Sequence, residues 1–189
     1  MSRYELLLLL HISASIIWLG AGFLLAVLVL GAEMAGDREK AAGYHRDVGW
    51  LAPRLFIPAS LSVLVLGVLL VIDGPWSFDQ LWITIALTGW AVSFLLGILY
   101  FAPEGERIGA IAADRGPNDP ELSRRLRRLN VVDRVQLLIL FLVVADMVLK
   151  PTGDDGGMLA VAAAILVAGV LLAGNAIRRL GSAAEPSPG

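Results

Sequence analysis

Cysteine does not occur in this 189-residue chain, so disulfides, thiolate metal sites and thiol catalysis are excluded. Histidine occurs only twice, as His11 and His45. Charged residues make up 17% of the chain, and the formal net charge of -2 says less than their distribution. There is no H-E-x-x-H, no G-x-S-x-G, no P-loop and no paired carboxylates within an apolar run. The residues therefore assign no reaction. Basic residues gather at the ends of apolar runs, where lipid headgroups account for them, and no nucleic-acid partner is expected.

What the chain has in excess is apolar length: 57% of its residues are hydrophobic and the mean hydropathy is +0.75. A hydrocarbon core of about 30 Å is crossed by roughly 20 apolar helical residues. Five blocks approach that length, at about 5–30, 54–72, 81–102, 131–149 and 158–177. Five such runs in so short a chain leave little amphipathic surface for water, which disfavours a soluble bundle. The expected fold is all-α, a polytopic transmembrane bundle of five helices forming one domain over residues 1–180. The first block exceeds the 7–15-residue core of a signal peptide and lacks a clear A-x-A site after it, so it reads as a retained helix.

Lysine and arginine set the orientation. Arg38, Lys40, Arg46 and Arg54 lie between the first two blocks. Arg107, Arg115, Arg124, Arg125, Arg127, Arg128 and Arg134 lie between the third and fourth or just inside the fourth. Arg178 and Arg179 follow the fifth, whereas Arg3 and Lys150 are the only basic residues on the other side. Thirteen against two predicts an outward amino terminus and a cytoplasmic carboxyl terminus, in a cell membrane of bacterial inner-membrane type. Anionic headgroups at the Arg124–Arg128 cluster are the expected partner beside the bilayer itself. "NDPELSRRLRRL" reads as a helix start, with Asp119 at the N-cap and Pro120 in the first turn, running on into the fourth block. The end, residues 181–189, is small and polar and reads as a loose tail.

Within the blocks, Gly89, Ser93 and Gly97 share one face, as do Ala164 and Ala168, then Gly169 and Ala173. Small faces let membrane helices approach closely. Pro58 removes a backbone donor near the start of the second block and predicts a kink or reset there. Trp50, Trp76, Trp82 and Tyr100 fall near block ends, where amphipathic rings favour the interface.

The polar residues that remain inside are few. His11 shares a helical stripe with Ser15, Trp18 and Gly22, the least bulky face of the first block. Asp146 is the one acidic residue well inside a later block, a turn from its outer end. With antiparallel helices, His11 and Asp146 occupy the same half of the bilayer, and an intramembrane ionisable residue is a functional candidate by default. His11 is thus expected near Asp146 or Met147. Asp133 is expected to pair with a neighbour such as Arg54 or to contact lipid. A haem reading makes His11 an axial ligand with Met147 as a partner at suitable depth; His45 lies nearly a bilayer away. A second copy of the chain is the other source of a ligand, so a homo-oligomer belongs to that reading.

"YELLLLLHISASIIWLGAGF", "LFIPASLSVLVLGVLLV" followed by a Trp-containing loop, and "MVLKP" closing the fourth block resemble, in that order, the integral membrane proteins of DUF2269 over about residues 4–151. The resemblance implies a small helical membrane protein without an assigned activity. His11, Trp18 and Gly20 are also similar to a patch in copper-resistance D-type and HemJ-type membrane proteins, which implies haem b in electron transfer or porphyrin handling. A small-solute transporter is the third reading, disfavoured because the blocks lack broken-helix signatures.

Overall fold

The computed structural model describes residues 1–182, which are almost entirely helical. Seven α-helices follow one another: α1 (Arg3–Met34), α2 (Arg38–Leu51), α3 (Ile57–Asp73), α4 (Leu81–Leu96), α5 (Ala102–Arg115), α6 (Pro120–Leu149) and α7 (Gly156–Ser182). Single π turns, Ala52–Phe56 and Gly97–Phe101, join α2 to α3 and α4 to α5. The architecture is therefore five rods connected by short turns. The expected tail runs from 181; α7 reaches Ser182, and residues 183–189 lie outside the described residues.

The rod boundaries have local causes. Ser2 caps α1 through a capping box: its hydroxyl accepts from the Glu5 N–H at 3.1 Å and the Glu5 carboxylate accepts from the Ser2 N–H at 2.7 Å. The reversal after α1 passes through Gly36 at φ +71°, a backbone conformation that costs glycine no Cβ clash. Asp37 then caps α2 by accepting from the Lys40 N–H at 2.9 Å. Asp119 caps α6 by accepting from the N–H groups of Glu121 and Leu122, with Pro120 opening the helix, as the sequence predicts.

The prolines do not break their rods. Pro58 and Pro103 each stand two residues after a π turn and cannot donate back to Arg54 or Leu99. In each case the π turn takes up the mismatch, and Ile57 and Ala102 bond five residues back to Ala52 and Gly97. The reset expected at Pro58 is thus a widened turn inside a continuous rod.

Among the described residues, four helical stretches contain an apolar window long enough to cross a membrane: Arg3–Met34, Glu39–Asp73, Leu81–Arg115 and Gly156–Leu180. The fifth expected span lies in α6, whose apolar part carries Asp133, Arg134 and Asp146, with only Val135–Ala145 uncharged between them. Large apolar side chains cover the outside of the bundle, among them Ile16, Phe23, Leu171 and Leu172, 50–71% exposed. Soluble monomers rarely expose so continuous an apolar surface.

Helix α6 is central, packing on α1, α4, α5 and α7, while α3 lies mainly on α1. The small faces are used here: a Cβ added at Gly89 of α4 would collide with Val143 of α6, and one at Gly169 of α7 with Leu138 of α6. At the arginine-rich end, α2, α5 and the start of α6 enclose a small core of Ala42, Ile108, Leu122, Leu126 and Leu129. Helical extensions beyond the apolar stretches thus form a packed subassembly.

At the opposite, N-terminal end an aromatic and ionic clasp ties the rods together. Arg3 pairs with Asp73 at 3.4 Å and the Trp76 indole donates to the Tyr4 hydroxyl at 3.2 Å. The Lys150 ammonium sits 3.9 Å from the centre of the Trp76 ring, which meets Trp82 edge to face. Cation–π contact and an indole hydrogen bond suit a site where one side of the ring is apolar.

Candidate functional site

Two groups of buried polar side chains stand out, one toward each end. In the N-terminal half, His11 is 9% exposed and lies against α3, where a Cβ added at Gly67 would stand 3.1 Å from Cε1 and 3.5 Å from Nδ1. Glycine at 67 makes room for the imidazole. The Val63 carbonyl, one turn from Gly67, faces the ring without making a hydrogen bond to Nδ1. Ser15 and Trp18 are partly buried on the same stripe, and the Ser15 hydroxyl donates to the His11 carbonyl at 2.8 Å. Gly22, farther along the stripe, faces Leu137 of α6. The stripe therefore runs along the seam between α3 and α6.

Asp146 on α6 is 7% exposed. Its two carboxylate oxygens, and Nδ1 of His11, are buried and have no hydrogen-bond partner among the described residues. His11 and Asp146 are thus not hydrogen-bonded to each other. The antiparallel contacts Phe23–Phe141 and Gly22–Leu137 fix the register of α1 on α6. By that register Asp146 is level with the Ser15 region, offset from His11 by about one turn, ~5 Å. Met147 points elsewhere, into the cluster of Val71, Trp82 and Ile83 beside Trp76.

A haem held between His11 and Met147 does not fit this arrangement, because the Met147 side chain is packed against Val71, Trp82 and Ile83. His45 lies in α2, at the other end. No group of three His, Cys, Asp or Glu side chains close enough to hold a metal ion occurs among the described residues.

The second group was not anticipated from the sequence. His45 of α2, ahead of the second apolar stretch, is 7% exposed and its Nε2 lies 3.0 Å from Oδ1 of Asn130 on α6. The Asn130 amide nitrogen donates to the Glu33 carboxylate at the end of α1. With the amide nitrogen directed at a carboxylate, Oδ1 is left to accept, which assigns the proton of His45 to Nε2. Burial pushes the His45 pKa down to about 4, against the opposing pull of the Asn130 hydrogen bond. The chain links three rods through one neutral imidazole. Its only sequence signal was a pair of polar residues, Glu33 and Asn130, at the edges of apolar runs.

The arginine cluster is not uniform. Arg125 is bound to the buried Glu104 of α5 at 2.7 Å and to Glu121 at 3.0 Å, so it fastens α5 to α6 instead of facing lipid. Arg115 pairs with Glu121 at 2.9 Å, and the Glu121 carboxyl is held below its usual range mainly by the Arg125 hydrogen bond. Arg124, Arg127 and Arg128 are exposed. Arg54 donates to the Trp50 carbonyl at 3.0 Å and stacks over the Trp50 ring, so it does not pair with Asp133.

No curated protein and no solved structure matches the chain significantly. The family model described as "Predicted integral membrane protein (DUF2269)" matches residues 5–151, most of the chain and all of both polar groups. The protein is a member of the DUF2269 family of predicted integral membrane proteins.

Proposed function

We propose that the chain crosses the bilayer five times, with the amino terminus outside and the carboxyl terminus in the cytoplasm of a bacterial inner membrane. In this reading α6 is the fifth crossing. Its central position supports that reading, because it packs lengthwise against α1, α4 and α7, which pass the apolar-length criterion by themselves or with their continuations. Burial against these neighbours offsets the cost of Asp133 and Asp146, while Arg134 is exposed. The exposed Arg124, Arg127 and Arg128 then lie beside anionic headgroups of the inner leaflet.

The functional centre in this reading is the outer-half site, where His11 and Asp146 take up a proton or a small polar ligand between α1, α3 and α6. The observation that carries it is the set of three buried polar atoms, Nδ1 of His11 and both oxygens of Asp146, without partners among the described residues. Buried polar atoms are almost always satisfied, and the exceptions call for a role.

Infrared difference spectroscopy across a pH titration tests the site. A carboxyl band that vanishes in Asp146→Asn and shifts in His11→Gln is the expected result. A band indifferent to His11, together with a His11→Leu variant as stable as the parent, would remove the basis for this site. Topology is tested separately on single-cysteine variants of the cysteine-free chain. An external reagent should label position 154 and miss position 118; the reverse pattern overturns the orientation.

A further inference from the structure

A groove of about 630 Å³ opens at the arginine-rich end between the end of α1, the first half of α6 and the end of α7. One face of α6 lines it with Ser123, Arg127, Asn130 and Arg134, spaced at four, three and four residues and so on one stripe. Arg179 of α7 faces them across the groove. Two acids, Glu33 and Asp37, also line it, and against three arginines they leave the lining one positive charge in excess. Glu33 accepts from Asn130, and Asp37 accepts from the Lys40 N–H while capping α2. Arg127 and Arg134 make no salt bridge with any described residue, and Arg134 acts on Asp133 only through space. The Ser123 hydroxyl is buried with no partner among the described residues.

From this we infer that the groove is a binding site for a phosphate ester, and that its occupant is the headgroup of an anionic phospholipid. Guanidinium groups bind phosphate through paired N–H donors, and an unpartnered hydroxyl adds one more. Depth selects the lipid source. Arg134 stands 16 residues before Lys150, about 24 Å along the axis, which puts it near the edge of a ~30 Å hydrocarbon core. The groove also has apolar walls, Leu126 of α6 and Leu180 of α7, suited to the glycerol and upper acyl carbons. This site lies at the other end of the bundle from His11 and Asp146 and does not depend on their role. Only its assignment to the cytoplasmic leaflet rests on the topology proposed above.

The full chain in nanodiscs of phosphatidylcholine, with and without phosphatidylglycerol, provides the test, read as thermal unfolding and as phosphatidylglycerol retained on extraction. The parent should be stabilised by phosphatidylglycerol and should retain it. Arg127→Gln with Arg134→Gln should weaken retention by about tenfold or more, since each basic group near an anionic surface contributes on the order of a factor of five. Ala176→Trp, which fills the groove and leaves every charge in place, should weaken it similarly. Arg124→Gln with Arg128→Gln, which removes two surface charges outside the groove, should weaken it by clearly less. Equal losses in that control pair, or full retention in both groove variants, would overturn the site. Saturable stabilisation by inorganic phosphate in pure phosphatidylcholine, matching that by phosphatidylglycerol, would overturn the lipid source in favour of a soluble phosphate ester.

Discussion

At the scale of single residues, the two histidines meet opposite constraints. His11 is fitted against a glycine, so Gly67→Ala forces a methyl to 3.1 Å from its ring. Overpacking of this kind costs about 1–3 kcal/mol, and Gly67→Ala should lower the unfolding temperature in detergent accordingly. His11→Ala should remove most of that penalty in the double variant, since contacting residues couple. Additive losses would mean that the two do not share space. His45 instead is fitted to a neutral hydrogen bond. Its pKa falls from the ordinary 6.5 to about 4, so the unfolded chain binds this proton first as pH drops. Its contribution to stability is complete above pH 6.5 and declines between pH 6.5 and about 4, by at most about 3 kcal/mol. His45→Gln keeps a donor for Asn130 and cannot titrate. Thermal unfolding followed from pH 7 to 4 should therefore be less pH-dependent in the variant, while identical profiles would rule the mechanism out.

At the scale of elements, close helix approach is concentrated on α6. Gly89→Ala should weaken the α4–α6 contact, because the new methyl collides with the stiff, β-branched Val143. Gly20→Ala, whose added Cβ meets nothing within 4 Å, should leave stability unchanged or slightly raised. The comparison is made by thermal unfolding in one detergent; equal losses would mean that small-residue packing does not discriminate these positions. The small faces were legible from four-residue spacing, yet spacing alone did not separate the tightly packed Gly89 from Gly97, which has open space around it. The identity of the neighbour decides that, and it lies some 50 residues away in the chain. The same holds for Arg125, which reads as one arginine of a lipid-facing cluster until Glu104 of α5 is brought to it. His45 and Asn130, 85 positions apart, became a pair only through the packing of α2 on α6. Apolar runs, caps and turn residues act locally and were readable; partner choice among rods is non-local and was not.

At the scale of the molecule, the apolar exterior and the small arginine-end core divide the sources of stability. Ile108 is fully buried, and Ile108→Ala should cost about 2–5 kcal/mol. Leu172 is 71% exposed on α7, and Leu172→Ala should change unfolding little when the surrounding phase is itself apolar. Similar losses at both positions would show that α7 is covered by another protein surface. The two π turns bear on how one chain supports both regions. A π turn is in effect one extra residue in an α-helix, and one residue is about 100° of rotation. Each of the two middle rods therefore changes phase at its π turn: α2 packs on α5 as well as on α1, while its continuation α3 packs mainly on α1. The rods behave as couplings between two bundles with different pairing rules. Deleting one residue from a π turn would straighten the rod while turning one of its two halves away from its partners.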